Sequence, residues 1–594
     1  MSLPSLDTVG PNGSSSPTNP IVTEIIRNAF LSAAEDMRAA LWRSAFSPVI
    51  YEMKDCSVAL FDAQARLLAQ APGLPFFLGA LGEVIQVVID HVGLHNFGAG
   101  DVYILNDPYL TGSHLNDVDI LSPVLYEDKL VGFTITRAHW LDIGSKDAAY
   151  AVDSREIYQE GLRLGPVKLV DAGKVDKDIV DILARNSRLP HSLVGDMHAQ
   201  IAACRLGERR FIEVLDKYGL DAVHSAMNAV FDMTEQLERE TIESLPDGVY
   251  EAAGYQDNDF QSADPIPVHV KVTIRGSDMT VDTSGSSLQR PGCTNCGLVQ
   301  TISAVRLAYK FLIRPDLGVT GGSFRSLAIE VEPGSIFAAE EPAACLQYGS
   351  HTMLLVDLIQ KALAPVMPER VTAGLPGDAW NVIIIGPHPK QPGLFMCLES
   401  TAGGWGASLH NDGDSGVVHF AAGDFKNLPV ETLENKYPLL IRQYALGTDT
   451  GGPGRSRGGL NIVRDYELLT TNSRLSLWFE RSLTPQWGLF GGQHGAVPRV
   501  LLYPGTSHEE ALLKVNHRPV AAGTVVRAFT GGGGGYGPPW QRDPERVRED
   551  VIEGYVSLQA AANDYGVYLR GEGLEIDLEQ TRWARERMAQ GDMP

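Results

Sequence analysis

Cysteine is scarce in this 594-residue chain. Its six residues, Cys56, Cys204, Cys293, Cys296, Cys345 and Cys397, are too few to staple a protein of this size, which excludes a disulfide framework. Cys293 and Cys296 stand as CxxC, but no second pair lies at zinc-site spacing and no βαβ setting surrounds them, so two buried thiols are expected. Basic charge is also short: 49 Lys and Arg face 73 Asp and Glu, a net −24. Phosphate would repel such a chain, which argues against nucleic-acid or anionic-membrane partners. No run approaches the ~18 consecutive apolar residues of a membrane span. The opening MSLPSLDTVGPNGSSSPTNP has neither the basic start nor the apolar stretch of a secretory signal. A cytoplasmic location is expected, with residues 1–19 a disordered arm. Missing too are a GxxxxGK[ST] phosphate loop, a GxSxG elbow and an HExxH helix. These absences count against serine hydrolase and zincin chemistry and place any ATP site on another chain.

Glycine, by contrast, is abundant, with 61 residues. Much of it falls late, in TAGGWGAS, TGGPGRSRGGL, WGLFGGQHG and TGGGGGYGPPW. The run Gly531–Gly535 offers amides to a phosphate, but close packing of two backbones is the commoner use. Pro20 opens a helical pattern carried by Ile26, Phe30, Ala34, Met37 and Leu41, and 176–243 is helical again. Between them KDCSVALFDAQARLLAQA resembles a strand pair. After Pro246 come short strands and turns, with helices near 297–313 and 350–364. The expectation is an α+β protein of several layers: an N-terminal unit over 20–245, a central one over 246–380, and a glycine-rich β unit with a closing helix over 381–594.

The chemistry concentrates in NDPYLTGSHLNDVDILSPVLYEDKLVGFTITRAHWLDIGS, residues 106–145. His114 and Asp117 lie three apart beside the Gly112 turn, and His139 ends the second strand of a hairpin. A turn at Glu127–Asp128 sets His139 opposite Asn116 and so close to Asp117. Two imidazoles and a carboxylate suit a divalent zinc, manganese or iron ion with open positions, and Asp55 or Asp142 offers a fourth oxygen. A hydrogen-bonded polar turn is the plainer alternative.

NDPY, GSHLND and RAHWLDIG resemble the signature of the hydantoinase B/oxoprolinase family. MKDCSVALFD, GGSFRSL, PVETLENKYPLLI, TDTGGPGRSRGGL, PQWGLFGG and GGGGGYGPP match it too, collinearly, from about residue 20 to 560. The resemblance implies the large subunit of an ATP-dependent enzyme that opens hydantoins, 5-oxoproline or lactams. A hydantoinase A-like partner would bind ATP and magnesium and phosphorylate a carbonyl oxygen, in a hetero-oligomer with several copies of each chain. It further implies that the chemistry is completed at a metal ion held by His114, Asp117 and His139, with Asp55 a less secure ligand.

Asp55, Asp107 and Asp142 are the candidate general bases, and Asn106 and Arg137 the candidate substrate anchors. The chain departs from its relatives at Phe77 in PFFLG, at Trp140 after His139, and at Thr320 where Asn is usual. Phe77 and Trp140 are expected to make the substrate pocket tighter and more apolar. A ketone (acetone or acetophenone) carboxylase subunit is the alternative from a sister branch, and a scaffold for an ATPase partner the alternative without chemistry.

Overall fold

The computed structural model describes residues 19–591 except 378, 379 and 424. The expected disordered arm lies, up to residue 18, outside the described residues. Asn19 accepts the Ile21 N–H (3.0 Å) and Pro20 fills the first position, so the first helix, Pro20–Ser44, begins where the sequence signals it. The architecture is the expected mixture of helices and several sheets.

Seven strands form the first sheet: β1 (Cys56–Asp62), β2 (Leu67–Gln70), β3 (Val102–Leu105), β4 (Asp117–Tyr126), β5 (Lys129–His139), β6 (Val167–Asp171) and β7 (Lys174–Val175). Their order is β2-β1-β5-β4-β3-β6-β7. Alternation along the strands feeds two cores. Val58 and Leu60 pack against Phe30, Met37 and Phe211 of the long helices Pro20–Ser44 and Pro190–Tyr218. Ala59 and Phe61 pack the other way, with Phe133 and Ile135, against Leu81, Val84 and Val88. Those last residues belong to an apolar window, Pro75–Val92, that by length and composition alone would cross a membrane. The window is divided at Gly79–Ala80 into helices Pro75–Leu78 and Leu81–Val92, and the second covers this face of the sheet.

The β4–β5 hairpin turns at Glu127–Asp128, both left-handed (φ 50° and 59°), and Tyr126 pairs with Lys129. One residue is then inserted: Leu125 pairs with Leu130, but Val124 pairs with Gly132. This bulge moves His139 from opposite Asn116, where counting from the turn puts it, to opposite Asp117. The correction matters, because a partner of Asn116 would point to the face opposite Asp117. Glycine is required at the bulge, since a Cβ on Gly132 would sit 2.3 Å from the Phe61 carbonyl oxygen.

A four-stranded sheet follows, with Leu327–Glu330, Asp278–Asp282, Ile266–Arg275 and Gly248–Gln256 side by side. It shares a core with helices Leu298–Leu312 and Tyr348–Leu363. A second four-stranded sheet (Leu394–Ser400, Asn381–Pro387, Ser473–Trp478, Val515–Val520) packs with a five-stranded one that includes Ile462–Leu468 and Val525–Phe529. The glycine run is a place where backbones touch. A Cβ on Gly532, Gly533, Gly534 or Gly535 would lie within 2.2 Å of a carbonyl oxygen of Thr450, Trp405, Trp487 or Pro453 respectively. All six cysteines are free and buried.

Gly533→Ala should therefore cost about 3 kcal/mol, the upper end of ordinary overpacking, because the Trp405 carbonyl stands 1.7 Å from the new methyl carbon. Gly165→Ala, with no atom within 4 Å of its Cβ, should change stability little. Denaturant midpoints of the two variants would check the contrast.

Candidate metal centre

Period-two alternation sends Asp55, Asp117 and His139 to one face of the first sheet, beyond the end of the helix that covers the rest of it. Asp117 and His139 are direct cross-strand partners, and the His139 N–H donates to the Asp55 carbonyl oxygen (3.1 Å). His114 arrives from the loop between Pro108–Thr111 and β4. That loop turns at Gly112 (φ 92°), where a Cβ would meet the Gln300 nitrogen at 2.2 Å. Candidate ligand atoms of His114, Asp117 and His139 lie within 4.8 Å of one another, and all three residues are buried. They line a cavity of about 80 Å³ together with Asp55, Phe77, Tyr150, Tyr348 and His419.

The electrostatics of this space are unbalanced. His114 Nδ1 sits 3.1 Å from the Leu346 carbonyl oxygen, so it carries the hydrogen and leaves Nε2 with a lone pair. That Nε2 faces Asp117 Oδ1 at 3.1 Å. Burial pushes the Asp55 carboxyl well above the usual carboxylate range, with the Asp117 charge adding to the effect. Burial lowers His139 to about 3, so its imidazole is neutral. Asp55 Oδ1, Asp117 Oδ1 and His139 Nδ1 are buried without a hydrogen-bond partner. Lone pairs that converge with no donor between them fit a divalent cation, and the donor set of two imidazoles and carboxylate oxygen is of the right kind.

Surrounding groups hold these side chains in place. The Tyr348 hydroxyl donates to Asp117 Oδ2 (2.9 Å), and the Tyr150 hydroxyl lies 2.6 Å from His139 Nε2. Glu160, fully buried, accepts from the Cys345 and Leu346 N–H groups (3.1 and 3.0 Å) and from the Ser154 hydroxyl (2.6 Å). It thus fixes the residue whose carbonyl orients His114.

Several residues singled out in the sequence fall outside the cavity. Trp140 points to the opposite face of the sheet, packs with Met197 and Cys204, and donates to Gln200 Oε1 (2.8 Å), so it does not tighten the pocket. The alternation that brings His139 in sends its neighbour out. Asp142 is held by the Arg188 guanidinium (2.9 Å) and backbone N–H (2.5 Å), and Asp107 caps the turn at Tyr109. Asn106 spends its amide on Leu115, Leu162 and Leu164. Arg137 makes a buried two-pronged bond to Asp119 (2.9 and 2.7 Å) and reaches the Thr111 carbonyl oxygen (3.2 Å). Both brace the loop that carries His114. Phe77 does line the cavity, as expected. Tyr150, Tyr348 and His419 were not singled out: they come from distant parts of the chain and belong to no local motif. His419 donates from Nε2 to Asp357 (3.0 Å), while its Nδ1 accepts the Ala421 N–H (3.1 Å).

Residues 19–539 match the model of the Hydantoinase B/oxoprolinase family, and the chain belongs to it. It is 32% identical to the putative B component of a D-/L-hydantoinase from Pseudomonas sp. (strain NS671), over 96% of this chain and 98% of that one. Among solved structures, the ATP-dependent caprolactamase from Pseudomonas jessenii superposes with a TM-score of 0.89 at 30% identity, covering 96% of this chain and 100% of the other. Acetone carboxylase in its nucleotide-free form shares the fold (TM-score 0.88, 18% identity, 96% and 83% covered).

Replacing Glu160 with Ala should weaken divalent-metal binding by about 10–100-fold, the range seen when groups that support metal-ligating histidines are removed. Calorimetric titration with zinc and manganese would measure it, and Glu160→Gln, which keeps an acceptor, should lose less.

Proposed function

We propose that this chain is the metal-holding large subunit of an ATP-dependent cyclic amidohydrolase that works with a hydantoinase A-like, ATP-binding partner. The observation that carries the reading is the meeting of His114, Asp117, His139 and Asp55 in one buried cavity with unpaired oxygen and nitrogen atoms. The relatives named above, a hydantoinase component and an ATP-dependent caprolactamase, support hydrolysis of a cyclic amide. The acetone carboxylase likeness supports the fold alone, so carboxylation stands second.

His114, Asp117 and His139 would hold the ion through His114 Nε2, Asp117 Oδ1 and a neutral His139 nitrogen. A divalent ion, when bound, supplies Lewis-acid polarisation and offsets the two buried carboxylates. Tyr348 holds Asp117 in place while Phe77, Trp478 and Phe425 exclude water. Asp55 is the candidate base inside the cavity, since Asp107 and Asp142 do not line it. Its burial suits Oδ1 to take a proton from attacking water and return it to the ring nitrogen as the amide opens.

His139→Ala and Asp117→Ala should each lose most bound metal and nearly all turnover by the reconstituted complex, with the fold and partner binding kept. Elemental analysis of the purified variants is the direct check, and a full equivalent of metal in either would overturn the assignment. The isolated chain should hydrolyse no ATP, because no phosphate loop is present; phosphate release in the absence of the partner tests this.

A further inference from the structure

Part of the metal cavity's wall comes from the later half of the chain. Asn381 stands between Ser400 and Trp478, its direct partners on the two neighbouring strands, and all three line the cavity. The Ser400 hydroxyl donates to Asn381 Oδ1 (2.6 Å), which fixes the carboxamide and leaves its nitrogen end free. Among the described residues no acceptor meets Asn381 Nδ2, and the residue is only 5% exposed. With so little bulk water beside it, that amide has the cavity to donate into. Neighbouring donors are already committed: Trp478 Nε1 to Ser350 Oγ (2.8 Å) and His419 Nε2 to Asp357 (3.0 Å).

A helix begins at the same space. Tyr348 and Gly349, the first two residues of the 16-residue helix Tyr348–Leu363, line the cavity, and the Tyr348 side chain reaches Asp117. No side chain caps this helix and its first turn carries no acid, so the amides and the positive end of its dipole are uncompensated. Gly349 leaves that end bare, since a Cβ there would meet no atom within 4 Å. The Trp478–Ser350 bond ties the helix start to the strand beside Asn381. An uncapped helix start and an unpaired buried amide thus open on one space of about 80 Å³. Both donate, which is the complement of an oxygen carrying negative charge.

From these features we infer that the Gly349 N–H and the Asn381 amide form an oxyanion subsite in the metal cavity, and that it receives the oxygen of the reacting ring carbonyl. The inference rests on the amidohydrolase reading for the identity of the reaction. It adds the groups that meet the charge this reaction develops. As the water oxygen bonds to the carbonyl carbon, the C=O π pair moves onto the carbonyl oxygen and the water's proton goes to Asp55 Oδ1. The two donors hold that negative oxygen until the pair returns, the C–N bond breaks and the ring nitrogen takes the proton. Asn381 is then a catalytic residue, because it touches the reacting oxygen.

The test is calorimetric titration of the zinc-loaded full chain, freed of excess metal, with inorganic phosphate as a small tetrahedral oxyanion. Phosphate should bind, and Asn381→Ala should weaken it by about ten-fold or more, the worth of one hydrogen bond to a charged group. Asn381→Asp, which keeps an acceptor for Ser400 but adds negative charge, should weaken it further. Gly349→Val, which puts bulk over the helix start, is a second variant on a different element, and an unchanged zinc titration certifies the fold of each. In the reconstituted complex Asn381→Ala should lower kcat by about 100-fold with KM little changed, the split expected of a donor used in the transition state. No phosphate binding, equal phosphate affinity in wild type, Asn381→Ala and Gly349→Val, or an unchanged kcat would overturn the inference. The titration involves no turnover, so the two readings fail separately. Phosphate binding indifferent to Asn381 in a complex that opens cyclic amides would sink only the subsite. An Asn381-dependent phosphate site in a complex that opens none would sink only the amidohydrolase reading.

Discussion

Two buried carboxylates, Asp55 and Asp117, share one small cavity whose histidine neighbour His139 burial keeps neutral. Charge of one sign away from water is expensive unless something of the other sign joins it. Much of the surrounding structure serves to hold that arrangement. Asn106 and Arg137 brace the loop of His114, Glu160 fixes the carbonyl that sets its tautomer, and Tyr348 takes up the spare oxygen of Asp117. Of these groups only Arg137 carries positive charge, and its guanidinium is spent on Asp119. A divalent ion would supply the missing positive charge, and the same ion would give the site its chemistry.

The glycine-rich segments have a related role at a different scale. Backbones that pass within van der Waals contact of one another, as at Gly532–Gly535, leave no room for side chains and hence little freedom to shift. Residues from the later part of the chain, including Asn381, Ser400, His419 and Trp478, reach the same cavity as the hairpin residues. A rigid scaffold behind them keeps that long-range convergence reproducible.

How far the sequence revealed this depended on the range of the signal. Local signals were legible: Pro20 at the start of the first helix, the Glu127–Asp128 turn and the helical spacing from Ile26 to Leu41 all correspond to observed elements. So was the gathering of His114, Asp117 and His139, because a hairpin carries two of them. The bulge was not, since nothing in KLVGFTI marks Val131 as the extra residue except the glycine beside it. Trp140 was misplaced for the same reason: its face follows from strand phase, which a sequence count cannot fix past a bulge. Tyr150, Tyr348 and His419 were invisible because what unites them is tertiary contact alone.

The phase of that hairpin has a consequence for how such a site can change over time. Which face His139 occupies depends on how many residues separate it from the bulge, as well as on its identity. Insertion or deletion of one residue in that stretch would leave every ligand present in the sequence while turning one of them toward the helices. The active constellation is therefore written in spacing as well as in residue type. Descendants that keep all three ligand residues can still lose the site through a single-codon change in length.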